Sequence, residues 1–260
     1  QWLHRPGFPD FDVEWSYNQR NRAVQLSVMQ LQENLFKLPV EIRIDNEKHT
    51  LWVEKKDAVY EIKVSKRPKM VIFNTGMIVP CKIKMKKSIS DWIYQLQNAP
   101  HILDKIDAIN VLKKKKGRRI VERTLLNTAK NDSFWGVRRE SIKGFSALSS
   151  KQYESELMDL GLNEDDSRVR RVIWNALKNY NGSRKVSQYL MNVIETDSKY
   201  YSVSDAFKAL VVVDSIGAGS LVESLLKANS HNDIIRKSAI SYYGSVKSDE
   251  NYKKLIELVK

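Results

Sequence analysis

The sequence predicts a two-domain chain, β then α: an antiparallel β-sandwich followed by an α-solenoid of helix pairs. Three observations predict it. Apolar and polar residues alternate up to residue 87. From Ser88 onward apolar residues recur at helical spacing. The helical half then repeats itself, with aliphatic markers at Val137, Val169, Val203 and Ile235, which are 32, 34 and 32 residues apart. The expected division is a junction over residues 1–10, a sandwich over 11–87 and a helical repeat domain over 88–260.

Each strand follows from period-two patterning, which sends successive side chains to opposite faces of a sheet. Asp12-Val13-Glu14-Trp15 starts the first. Val24, Leu26 and Val28 mark the second, with Gln25 and Ser27 between them. Val40, Ile42 and Ile44 mark another, as do Tyr60, Ile62 and Val64. Ile83 and Met85 alternate with Lys82, Lys84 and Lys86, which fits a last strand with one solvated face. Turn residues separate these runs at Asn18 to Asn21, Asp45-Asn46, Lys55 to Asp57 and Asn74-Thr75-Gly76. About six or seven short strands at this spacing predict an antiparallel sandwich.

In the helical half, Val186, Tyr189, Leu190, Val193 and Ile194 follow the spacing of one helix face. Asp132-Ser133, Asp166-Ser167 and Asp197-Ser198 precede successive helices as natural N-caps. Val137-Arg138-Arg139, Val169-Arg170-Arg171 and Ile235-Arg236-Lys237 recur at the repeat period. Two helices per 30–40 residues signal an α-solenoid. The aliphatic–Arg–Arg pattern resembles HEAT-type repeats, in which an Asp and an Arg tie neighbours together. The expected ladder is Asp132, Arg138, Asp166, Arg170, Asp233 and Arg236. Ser204-Asp205 stands where the third repeat would carry its arginines, so the ladder is expected to be interrupted there.

Charge and chemistry narrow the function. The chain has 44 Lys/Arg and 31 Asp/Glu, a net charge of +13. Residues 1–87 hold 16 basic and 10 acidic side chains, a net +6, and the remainder holds 28 and 21, a net +7. A basic excess spread over both halves argues against one dedicated nucleic-acid domain. The dense run Lys113–Arg119 reads as a solvated helix end with Gly117 in the turn. Cys81 is the single cysteine and reads as a small buried hydrophobe. The four histidines, His4, His49, His101 and His231, are scattered, and no zinc-ligand spacing occurs. No HExxH, GxSxG, Walker loop or GxGxxG is present. Trp15, Trp52, Trp92, Trp135 and Trp174 do not cluster, and core packing is the expected role for most of them. No catalytic, cofactor or metal residue is assigned to this chain.

The stretches QWLHRPGFPDFDVEWSY, VQLSVMQLQ and FKLPVEIRI together resemble the junction and sandwich domain of zinc metallopeptidases of the aminopeptidase N family. WIYQLQNAPHILDKIDAINVL resembles the start of that family's helical C-terminal domain. The form ending in HEAT-like repeats is similar to bacterial, cold-environment-type members. The resemblance implies that the zinc site and the exopeptidase segment lie upstream, so zinc is expected in a catalytic domain of the same polypeptide. It implies that Trp2 and Leu3 end a helix of that domain, which Pro6, Gly7 and Pro9 stop.

A non-catalytic region of this kind is expected to pack on the catalytic domain and to restrict peptide access. Arg139, Arg171 and Lys237 are the candidate contacts to a peptide's C-terminal carboxylate. Two other readings compete. One is a catalytically silent assembly scaffold, since the resemblance extends to relatives that lost catalysis. The other is a basic solenoid that binds nucleic acid. No apolar run reaches the roughly 20 residues of a membrane helix.

Overall fold

The computed structural model describes residues 7–148 and 151–259. Trp2, Leu3 and Pro6, read above as a helix end, lie outside them. Alternation becomes seven strands: β1 (Asp10–Asn18), β2 (Ala23–Gln30), β3 (Leu38–Ile44), β4 (Glu47–Val53), β5 (Asp57–Lys63), β6 (Val71–Phe73) and β7 (Lys82–Lys86). They form a four-stranded sheet in the order β5-β2-β1-β7 and a three-stranded sheet in the order β4-β3-β6.

The inward residues of both sheets meet in one core. Phe11, Val13, Val24, Leu26 and Val28 of the first sheet cluster with Val40, Ile42, Val53 and Phe73 of the second. Phe11 and Phe73 touch edge to face, with centroids 5.3 Å apart. The β3–β4 turn falls at Asp45-Asn46, where Asp45 takes φ 48. Its carboxylate accepts the Lys69 and Met70 amides at 2.9 and 3.0 Å, and so ties this turn to the approach to β6.

One expectation is corrected. The first sheet is mixed, because β7 pairs with β1 in parallel while the other pairings are antiparallel. Alternation fixes which face a side chain takes but not the direction in which the strand runs. The chain returns from β6 in the other sheet beside the start of β1, pairing Lys82 with Asp10. That register sets Lys84 opposite Asp12 and Lys86 opposite Glu14 on the solvated face, and both pairs form ion pairs.

Two helices follow, α1 (Ile89–Asn98) and α2 (Ile102–Leu112). Ser88 and Asp91 form a capping box at the start of α1. On α2, buried Asp104 accepts the Thr75 hydroxyl at 2.7 Å and the Gly76 amide at 2.8 Å. These bonds hold α2 to the turn after β6. Secondary structure therefore changes type at Ser88, whereas packing divides the chain into compact units at 1–115 and 116–260. The division falls inside the Lys113–Arg119 run, with Gly117 at φ 71.

The second unit holds α3 (Arg119–Asn131), α4 (Trp135–Leu148), α5 (Glu154–Leu162), α6 (Ser167–Leu177), α7 (Arg184–Thr196), α8 (Tyr200–Val213), α9 (Ser215–Leu226), α10 (Ile234–Ser245) and α11 (Asp249–Val259). α3 packs on α4, α5 on α6, α7 on α8, and α9 on α10. The even-numbered helices also pack on one another in succession, α4 on α6, α6 on α8 and α8 on α10. The repeat markers Val137, Val169, Val203 and Ile235 are buried, one on each helix of that row.

Candidate functional site

Val137 and Val169 point into the core, and the residues two places on, Arg139 and Arg171, emerge at the surface. Arg139 and Lys143 on α4, with Arg168, Arg171, Val172, Asn175 and Lys178 on and just after α6, line an open groove of about 480 Å³ that Asp205 of α8 completes. The spacing of each set, i, i+4 on α4 and i, i+3, i+7, i+10 along α6, keeps it on one helix face. The groove thus lies on the row of directly packed helices.

Each guanidinium is held in place. Arg168 chelates Asp166 through Nε at 3.0 Å and Nη2 at 2.6 Å, and lies 3.6 Å above the Trp135 ring. Arg139 sits 5.3 Å from the same ring and donates to Glu140 at 2.8 and 3.0 Å. Arg171 donates to Asp205 at 2.5 Å and lies 5.0 Å from the Tyr201 ring. Lys143 shares Glu140 at 2.9 Å, and Lys208 lies 3.8 Å from Asp205. Burial works to raise the Glu140 pKa, but the bonds from Lys143 and Arg139 outweigh it and hold it below the ordinary range. The Arg168 bond likewise lowers the pKa of Asp166. The Trp135 ring lies beneath two guanidiniums as a cation–π platform, which period counting did not reveal.

Arg139 and Arg171, the candidate carboxylate contacts, therefore share one groove. Lys237 is exposed on α10 and is not part of its lining. The arginines read as a ladder behave differently from one another. Arg138 makes a bidentate pair with Glu164, both bonds 2.8 Å, and also donates to the Asp132 carbonyl. Arg170 does the same with Asp197, at 2.8 and 2.9 Å, and with the Glu164 carbonyl. The acidic partners are thus Glu164 and Asp197, 26 and 27 residues downstream. Asp166 instead caps α6 and binds Arg168, because a cap carboxylate is committed to its own helix start. The Asp132 carboxylate accepts from the Phe134 amide. Asp233 takes φ 55 in a 3₁₀ turn, its side chain does not cap α10, and Arg236 is exposed without an ion pair among the described residues.

A second cluster of charge lies in the first unit. The Lys87 amine donates to Gln95 Oε1 at 2.5 Å and lies 4.4 Å over the Trp92 ring. Burial pushes its pKa down to about 8, against the pull of Asp107, Asp104 and Asp91. Burial also raises the Asp107 carboxyl. Lys87, Asp104 and Asp107 border a cavity of about 50 Å³. Cys81 is half-buried, and burial raises its thiol to about 11, which leaves little thiolate for chemistry. Among the described residues, no group of three or more His, Cys, Asp or Glu side chains is placed to hold a metal ion.

No protein-family model matches the sequence, and no curated protein matches it. Among solved structures, the chain is similar to the crystal structure of Legionella pneumophila aminopeptidase A in complex with aspartic acid. The TM-score is 0.57 at 16% identity, over 98% of this chain and 34% of that one. The chain thus spans about a third of that protein's length and shares its fold there.

Proposed function

We propose that this chain is the non-catalytic C-terminal region of an aminopeptidase-like zinc metallopeptidase, shaping peptide access to a catalytic domain of the same polypeptide. The observation that supports the reading is the correspondence of 98% of the chain with 34% of Legionella pneumophila aminopeptidase A. In this reading the two facing sheets are a β-sandwich acting as a rigid spacer. The helix pairs are a HEAT-like solenoid, with the directly packed row on its concave side. Zinc belongs to the upstream domain, and this chain supplies no step of the hydrolysis. Arg139 and Arg171 attract the C-terminal carboxylate of an incoming peptide, and Lys237 does not take part.

The reading makes two expectations measurable. The purified 260-residue chain, supplied with zinc, releases no N-terminal residue from peptides or aminoacyl amides; robust zinc-dependent release overturns the reading. In the longer polypeptide, Arg139→Glu with Arg171→Glu raises KM for peptides and leaves turnover of a small aminoacyl amide unchanged. Equal kinetics on peptides would remove the access role. An upstream sequence without HExxH and its following Glu would favour the assembly scaffold instead.

A further inference from the structure

We infer that the α4–α6–α8 groove reads acidic side chains along an extended peptide segment, and not only a terminal carboxylate. The inference rests on the peptide-binding reading of that groove, and goes beyond it in naming the ligand's chemistry.

Charge is the first argument. Six cations surround the groove: Arg139, Lys143, Arg168, Arg171, Lys178 and Lys208. Three carboxylates answer them: Glu140, shared by Arg139 and Lys143; Asp166, on Arg168; and Asp205, between Arg171 and Lys208. Lys178 has no ion pair among the described residues. The excess of three positive charges exceeds what one terminal carboxylate neutralises.

Geometry is the second. Arg168 to Lys178 is ten residues, about 15 Å of helix at 1.5 Å per residue. An extended peptide covers that length in about four to five residues. Alternate side chains of such a peptide face the same way, so acidic residues at every second position meet the cation row together.

The third argument separates a peptide from a nucleic acid. The groove's aromatic rings are already engaged by its own cations, Trp135 by Arg168 at 3.6 Å and one face of the half-exposed Tyr201 by Arg171 at 5.0 Å, which leaves no stacking platform for successive bases. The fixed carboxylates among the cations also oppose a continuous phosphate backbone. A peptide can place neutral residues beside them.

The test titrates the 260-residue chain with four probes at low and high salt. They are a short acetylated, amidated peptide with glutamate at alternate positions, its glutamine counterpart, a neutral peptide with a free C-terminus, and a duplex DNA. The acidic amidated peptide is expected to bind about tenfold more tightly than the glutamine peptide at low salt, and to weaken as salt screens it. Lys143→Gln with Lys178→Gln is expected to remove most of that difference while leaving the melting temperature in place. Equal binding of the glutamate and glutamine peptides overturns the inference. So does duplex DNA binding more tightly than the acidic peptide. If the neutral free-acid peptide binds as well as the acidic amidated one, the groove reads the terminus alone; the inference falls and the access reading survives. If the acidic amidated peptide binds and the free-acid peptide does not, the terminal-carboxylate reading falls and the inference stands.

Discussion

Arg170 and Asp197 show how one residue pair can tie two successive helix pairs, α5–α6 and α7–α8. Their side chains are 15% and 6% exposed. Asp197 also accepts the Ser202 hydroxyl at 2.5 Å, and Ser202 in turn accepts the Trp174 indole N–H at 2.8 Å. Deleting the guanidinium leaves a buried carboxylate uncompensated. Arg170→Ala is therefore expected to cost about 3–5 kcal/mol in urea unfolding, and Arg170→Met with Asp197→Leu to recover much of it. A loss below about 1 kcal/mol, the range of exposed pairs, contradicts the pair's structural role. Lys87 gives a pH-dependent prediction. Its amine titrates near 8 when folded and near 10.4 when unfolded. Between those values the unfolded chain binds more protons, so the contribution of Lys87 to stability rises with pH and is lowest below about 8. Because other lysines titrate as well, the measurement is the stability gap between the parent chain and Lys87→Met. Relative to the parent, the variant should gain most below pH 8, with the gain shrinking towards pH 10. A pH-independent gap would falsify the burial argument.

At the scale of elements, period carried the assignment and partners escaped it. Val24, Leu26 and Val28 lie buried on one face of β2, as alternation implies. Gln30, on the same strand, did not look special, yet it is fully buried. It donates to the Phe36 carbonyl at 2.9 Å and accepts the Phe36 amide at 3.0 Å, fixing the crossing from one sheet to the other. The signal there was only a polar residue on the apolar phase of a strand. Trp92 and Trp174 are core residues, whereas Trp52 is 57% exposed and Trp135 supports the groove arginines. Gly161 shows packing overriding propensity. A Cβ there would lie 2.5 Å from both the Trp174 ring and the Tyr189 hydroxyl. Alanine gains about 1 kcal/mol of helix propensity over glycine, but overpacking a filled site costs about 1–3 kcal/mol. Gly161→Ala is thus expected to lower the denaturation midpoint; a stabilised variant would show that Trp174 and Tyr189 can yield.

At the scale of the molecule, the chain divides into two compact units, and the division falls within a lysine-rich segment. Lys113 to Lys116 and Arg118-Arg119 lie between α2 and the body of α3, with Gly117 in the turn. Limited trypsin treatment is expected to cut there first and to leave two resistant fragments, divided near Lys115 and not near Ser88. Mass spectrometry of the first products decides it. A first cut at Lys86 or Lys87 would favour the secondary-structure boundary. The fold is shared with a region of Legionella pneumophila aminopeptidase A at 16% identity, low enough that packing geometry, more than sequence, carries the likeness.

The order of strands before helices, the turn positions, the buried faces and the 32–34-residue spacing of the helix markers were legible in the sequence. They follow from periods of two and 3.6, which are local properties of the chain. Only the tertiary structure decided the rest. Direction in a sheet depends on where the chain re-enters it, so the parallel β7 was not written in its alternation. The partners of Arg138 and Arg170 lie 26 and 27 residues away, one helix pair on, and Glu164 and Asp197 carried no local mark of that role. The groove needed Arg139, Arg171 and Asp205 from three helices at once. Period places a side chain on a face, but only packing between helices decides which faces meet.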